Sequence, residues 1–219
     1  MSSRVNNSIP AICRLAVGVA LVALITHTWF VMGLVVPVTV AGSSMAPTLS
    51  GPRERFRCDA CGKVFAVGID QLASAATVCP DCDEWSNIRL LGSLNGDRLL
   101  VDRTAFFVRP PRRWEVAVFH SPLDDGQLCV KRVVGLPGET VAICDGAIHI
   151  DGQRVAAPVG NSFAPRYEDN PRLRDGCQLG PTEYFVLGDN ATVSDDSRNW
   201  PTGPGLDEKL LVGRPIGVR

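Results

Sequence analysis

The chain has 219 residues, of which 45% are hydrophobic, with 22 Lys and Arg against 23 Asp and Glu and a net charge of −1. That length accommodates one large domain, or one domain with a small module. The absence of a basic excess argues against a nucleic-acid partner. Eight cysteines, four of them in one cluster, point to a local site more than to a chain-wide disulfide framework.

Residues 1–14 read as a short tail, whose cytoplasmic placement follows mainly from function and only weakly from charge. Residues 15–36 carry no formal charge, and only His27 and two threonines are clearly polar. At about 1.5 Å per residue this stretch crosses a hydrocarbon core of about 30 Å, with Trp29 and Phe30 near its outer end as an aromatic belt. The competing reading is a cleaved signal peptide, with Arg4 and Arg14 as its basic region and "VAG" as its cleavage site; the length of the apolar run favours a retained anchor. Charge orients the span only weakly, because Arg53, Arg55 and Arg57 follow it closely.

Beyond the span, "PVTVAG" reads as a strand running into a turn. Residues 37–49 and 96–219 carry strand signals throughout: "RLLVDR", "WEVAVF", "LCVKRVV", "YFVL" and "KLLVGRPIGV". Asp145-Gly146 and Asp151-Gly152 are hairpin turn signals. With 21 Gly and 16 Pro spread along the chain, the expected fold is mainly β: an antiparallel body with one N-terminal transmembrane helix and a small insert.

The insert, residues 50–95, carries "CDAC" (Cys58, Cys61) and "CPDC" (Cys79, Cys82). Two CxxC pairs roughly 15–20 residues apart match a four-thiolate zinc ribbon. Gly62 suits a knuckle that needs positive φ, and Asp83 fits the equivalent place less well. So short a segment has little core of its own, which a structural zinc would offset. Two disulfides are the alternative in an oxidising compartment. Cys129, Cys144 and Cys177 read as buried thiols, with a Cys144–Cys177 bridge as the alternative; Cys13 lies at the membrane end.

A serine hydroxyl needs a base to become a nucleophile. His27, His120 and His149 have no evident Asp and Ser setting. Lys131 is the better base. In "LCVKRVV" the period of two puts Cys129, Lys131 and Val133 on one face and Val130, Arg132 and Val134 on the other. Burial would favour the neutral amine, able to accept a proton from serine. The same alternation also fits an ordinary edge strand.

"SSMAPTL" (Ser43–Leu49), "GDRLLVDR" (Gly96–Arg103), "VKRVVGLPGE" (Val130–Glu139) and "GDNATVSDDSRNW" (Gly188–Trp200) occur in this order behind the apolar span. Together they resemble the boxes of type I signal peptidases over nearly the whole chain except the insert. The resemblance implies a signal-peptidase-like β fold and a membrane-bound Ser/Lys serine endopeptidase that needs no cofactor for catalysis. Its partners would be preproteins and the lipid membrane, with the catalytic domain on the extracytoplasmic side of the cell membrane. Ser44, immediately before Met45, matches the nucleophile and Lys131 the general base. Ser194 matches the serine that hydrogen-bonds and orients that lysine. Asp189, Asp196 and Arg198 match a structural framework of ion pairs. Gly42 stands where many members have a serine that helps hold the oxyanion, so the hole would rest on backbone N–H groups, chiefly that of Ser44. Ala191–Val193 replace the usual polar residues after "GDN". Val38, Val40, Leu49 and Val130 are candidates for the substrate pockets, though ordinary β-core is expected for at least half of them. Two other readings compete. One is a catalytically inactive, membrane-tethered zinc-ribbon binding module. The other is a self-cleaving repressor, which would need a DNA-binding domain where this chain has an apolar span.

Overall fold

The structure is a computed structural model and describes residues 10–31, 33–72, 77–124, 126–156 and 170–218. Helix α1 (Ala11–Val31) is long and apolar enough to cross a membrane, and none of it packs inside the protein. Thr26 and Thr28 turn their hydroxyls back onto the carbonyls of Val22 and Leu24, both at 2.8 Å, so neither donor is left unpaired on the apolar helix. The helix begins at Ala11 instead of Leu15. It also stops short of Val36: Gly33, at φ 72°, turns the chain, and the β-branched run that follows pairs as a strand. Residues 1–9 of the expected tail, Arg4 among them, lie outside the described residues.

The strands, in chain order, are β1 (Val35–Thr39), β2 (Arg53–Cys58), β3 (Val64–Gly68), then after a helical turn α2 (Ile69–Leu72), β4 (Ile88–Leu94) and β5 (Arg98–Asp102). There follow β6 (Val116–His120), β7 (Leu128–Gly135), β8 (Thr140–Cys144), β9 (Ala147–Ile150), β10 (Gln153–Val155), β11 (Cys177–Gln178), β12 (Glu183–Leu187), β13 (Leu206–Asp207) and β14 (Leu211–Pro215). They form a seven-stranded sheet in the order β1-β5-β14-β6-β7-β12-β13, a four-stranded sheet β10-β9-β8-β11 and a three-stranded sheet β3-β2-β4. Every pairing is antiparallel. Both expected Asp-Gly turns hold: Asp145 and Gly146 sit at φ 52° and 71°, Asp151 and Gly152 at 50° and 77°, the left-handed pair a type I′ hairpin requires.

β7 and β12 are buried on both faces, which is why they read as nearly continuous apolar runs. Val134, Phe185 and Leu187 pack with Ile143, Ile148 and Ile150 of the four-stranded sheet. Val133, Tyr184 and Val186 face the other way, onto Phe119, Trp200 and Leu206. A third cluster joins Met45 and Leu49 to Leu99 and Val116, and so seats the segment after β1 on the large sheet.

The three-stranded sheet is the body of the insert. Asp97 closes its neck: its carboxylate accepts the Ser50 N–H at 2.8 Å and pairs with Arg53 at 3.3 Å, and its carbonyl accepts the Val40 N–H at 2.9 Å.

Arg132 is fully buried beside Lys131, and the face opposite Lys131 is core, not solvent. Its guanidinium meets Asp189 through two parallel bonds of 2.8 and 2.6 Å, with both side chains wholly out of water. It also donates to the carbonyl of Trp114 at 2.7 Å. This pair pins the loop after β12 to β7. Removing one member strands the other charge in the core, which costs about 3–5 kcal/mol. Asp189→Ala should lower stability by about that amount in denaturant unfolding. Arg132→Met added to Asp189→Ala should recover part of the loss.

Candidate active site

Ser44 lies in the turn that follows β1 and is half-buried. Lys131 lies in the middle of β7, opposite Ala117 of β6, and only 6% of it is exposed. Its Nζ is 2.6 Å from Ser44 Oγ. Desolvation pushes the Lys131 pKa below its ordinary value; the carboxylates of Asp196 and Asp195 oppose this, and Arg198 adds to it. When the amine is neutral, the Ser44 hydroxyl donates to it. The expected pair thus meets in space from positions far apart in sequence.

The segment carrying Ser44 is held from three sides. Met45 and Leu49 are buried in the core. The Asn190 N–H donates to the Ser44 carbonyl at 3.0 Å. Ser43, also buried, gives its N–H to Asp70 at 2.8 Å and its hydroxyl to the same carboxylate at 2.6 Å. The Ser44 N–H donates to no acceptor among the described residues. Gly42, two residues before it, has no hydroxyl to offer.

Of the framework residues, Asp189 pairs with Arg132, and Asp196 pairs with Arg198. Asp196 is buried, accepts the Gly188 N–H at 2.9 Å and takes two bonds from the Arg198 guanidinium at 2.8 and 2.9 Å. Ser194 is buried, but its Oγ has no hydrogen-bond partner among the described residues, and no bond from it to Lys131 is made. Gly188 explains how close the two loops come: a Cβ there would lie 2.1 Å from Ser194 Oγ and 2.5 Å from the Ser44 carbonyl oxygen. A buried hydroxyl without a partner costs about 1–3 kcal/mol.

A cleft of about 300 Å³ opens over the pair, lined by Val38, Val40, Gly42, Ser44, Val130 and Lys131, among others. Three of the four pocket candidates are there. Leu49 is not: it is 4% exposed and packs on Met45, because the turn carries its side chain beneath the segment into the core. Sequence reasoning missed Asp70, Asp97 and the burial of Ser43. No local pattern marks a carboxylate that acts across an insert.

The four insert cysteines converge. Cys58 and Cys82 Sγ are 3.6 Å apart, as are Cys61 and Cys79, and all four sulfurs lie within 4.8 Å of one another. A tetrahedron with metal–sulfur bonds of about 2.3 Å has edges of about 3.8 Å, whereas a disulfide brings its sulfurs to about 2.05 Å. Burial raises the Cys79 thiol, but the N–H groups of Asp81 and Cys82 and two neighbouring thiols outweigh it and bring the pKa down to about 7. Cys144 and Cys177 are both free, and Cys144 Sγ contacts His149 Nδ1 at 3.3 Å.

A family model described as "Signal peptidase, peptidase S26" matches residues 91–216, more than half of the chain. "Probable signal peptidase I-1" of Synechocystis is 35% identical over 132 residues, 55% of this chain and 61% of that protein. "Signal peptidase I" of Leptolyngbya laminosa is 30% identical over 162 residues, 70% of this chain and 72% of that protein. "Signal peptidase I V" of Bacillus subtilis is 34% identical over 126 residues, 54% of this chain and 72% of that protein. The fold, the Ser44–Lys131 contact and these matches agree: the chain belongs to the signal peptidase family, peptidase S26.

Proposed function

We propose that the chain is an active serine endopeptidase that removes N-terminal signal peptides from secreted preproteins, with Ser44 as nucleophile and Lys131 as general base. The observation that carries this reading is the 2.6 Å contact between a buried lysine amine of lowered pKa and a serine hydroxyl at an open cleft. Ser44 Oγ attacks the scissile carbonyl carbon as its proton passes to Lys131 Nζ. The oxyanion that forms accepts the free Ser44 N–H. The carbon–nitrogen bond breaks, and the leaving amine takes the proton from the Lys131 ammonium. Water, deprotonated by Lys131, attacks the ester, and Ser44 Oγ leaves with that proton. Ser194, whose buried hydroxyl has no partner among the described residues, is not bonded to Lys131 in the structure and would join it only once the amine has taken the proton. Val38, Val40 and Val130 give the cleft apolar walls suited to small side chains. An inactive tethering module has no use for a buried lysine amine set against a serine hydroxyl at an open cleft.

In this reading α1 anchors the chain in the cell membrane, with residues 1–14 inside. Residues 37–49 and 96–219 form the catalytic body on the extracytoplasmic side, and residues 50–95 are the added module. Cys58, Cys61, Cys79 and Cys82 would hold one structural zinc, whose chemistry is to cross-link the two knuckles. The Ser44 and Lys131 chemistry does not route through it.

Three outcomes test this. First, Ser44→Ala and Lys131→Met should each abolish cleavage, in detergent, of a preprotein with an Ala-x-Ala site. Lys131→Met should also raise Tm, by about 2–4 °C for each kcal/mol of desolvation relieved; full activity in Ser44→Ala would remove the dyad. Second, kcat/KM should rise with pH along a limb set by Lys131, below the ordinary lysine range. The Asp195 carboxylate raises the Lys131 pKa, so Asp195→Asn should move that limb toward lower pH. An unmoved or alkaline-shifted limb contradicts the assignment. Third, metal analysis of the purified protein should find about one zinc per chain; no zinc and no free thiols would mean disulfides.

A further inference from the structure

The insert does not merely decorate the fold. It reaches the residue next to the nucleophile. Asp70, in α2 directly after β3, takes both donors of Ser43: the N–H at 2.8 Å and the hydroxyl at 2.6 Å. The fit around this contact is close. A Cβ on Gly68 would lie 1.8 Å from Ser43 Oγ and 2.5 Å from an Asp70 carboxylate oxygen, so only glycine lets β3 end there. A Cβ on Gly51 would lie 2.8 Å from the carbonyl oxygens of Ala41 and Gly42, so the start of the insert is packed against the same turn. The Ile69 N–H closes the corner on the Pro52 carbonyl at 3.0 Å.

We infer that Asp70 is a positioning residue for catalysis: by holding Ser43 through two bonds it fixes the Gly42–Ser44 turn, and with it the direction of the Ser44 N–H. The inference rests on the reading of Ser44 as nucleophile. Its physical basis is the difference between the two neighbouring amides. The Ser43 N–H is consumed by the carboxylate, whereas the Ser44 N–H has no acceptor among the described residues and can serve the oxyanion. At Gly42 the chain has neither a side chain to stiffen the turn nor a hydroxyl to assist the oxyanion, so the turn must be held from outside. Asp70 supplies that hold with bonds to a charged acceptor, which are shorter and stronger than neutral ones. The clamp also has a distant anchor. In the β2–β3 hairpin Arg53 pairs with Gly68 and Arg57 with Val64, so the cysteine cluster closes one end and Asp70 grips Ser43 at the other. Cross-linking the cysteines keeps the hairpin rigid and Asp70 in place.

The test uses the full chain in detergent and two readouts, preprotein cleavage and amide hydrogen exchange at Ser43. Asp70→Ala should lower kcat about 10–100-fold, the scale of a small misplacement at a reacting centre. KM should stay within about twofold, and the pH limb set by Lys131 should not move. Ser43 amide exchange should accelerate at least about tenfold. Ser43→Ala keeps one of the two bonds and should lose less; the double variant should lose no more than Asp70→Ala alone. Asp70→Asn, which keeps the shape and gives up the charge, should fall between wild type and Asp70→Ala. Unchanged metal content in each variant shows that the insert remains folded. A kcat for Asp70→Ala within about twofold of wild type overturns the inference. So does a double variant whose loss is the product of the two single losses. If wild type itself leaves the preprotein uncut, the peptidase reading fails, while unaltered Ser43 exchange in Asp70→Ala still overturns the clamp on its own.

Discussion

Lys131 sits on a central strand with 6% of its surface exposed and a serine hydroxyl 2.6 Å away, and most of the structure is arranged around keeping it there. Desolvation holds its pKa below the ordinary lysine value in the folded chain. The cost to stability is therefore full at pH values below the lowered folded pKa. It shrinks as pH rises through the window between that value and the unfolded one, and it vanishes above it. A fold that carries such a group must offset it elsewhere. The continuous burial of Val133, Val134, Phe185, Val186 and Leu187 on the two strands that flank and carry the lysine does this, each large apolar side chain contributing about 1.5–3 kcal/mol.

The nucleophile is positioned by a different kind of constraint. Its segment is not a strand and has no ladder to hold it. Met45 and Leu49 anchor it from below, Asn190 binds the Ser44 carbonyl, and Asp70 binds Ser43. The loop that supplies Asn190 is itself tied to β7 by the Arg132–Asp189 pair. Adjacent residues of one strand thus do opposite electrostatic work. Arg132 is met bidentately by a carboxylate in the core, whereas Lys131 has no such partner among the described residues and desolvation lowers its pKa. The segment after β1 has a further neighbour at Ser50, where Asp97 binds the neck of the insert. The added module is consequently continuous with the catalytic turn.

The antiparallel β body, the apolar helix, both Asp-Gly hairpins and the cysteine cluster were legible in the sequence because each rests on local pattern: period-two burial, an uncharged apolar run, φ > 0 turn residues and paired CxxC. The meeting of Ser44 and Lys131 was legible only through the resemblance of four ordered boxes, since period two placed Lys131 on a face without saying what faces it. Three features were not legible. Leu49 falls in a box but turns into the core. Arg132 was placed on the correct face, yet its burial depends on Asp189, which is remote in the chain. Asp70 lies outside every box, and its bond to Ser43 sits where a Cβ on Gly68 would meet the Ser43 and Asp70 side chains and a Cβ on Gly51 would meet the Ala41 and Gly42 backbone. The end of the helix also moved, because residues that are equally apolar in a membrane and in a strand leave composition silent about where one stops.

Catalysis by Ser44 and Lys131 turns on the protonation state of one amine. The measurement that tests it is an NMR pH titration of the Lys131 side chain, assigned by comparison with Lys131→Met, in the full chain with Ser44 intact. A midpoint clearly below the ordinary lysine range, shifting further down in Asp195→Asn, is the predicted result. A midpoint in the ordinary range would leave Lys131 charged at the pH of function and unable to accept the Ser44 proton, and would contradict the account.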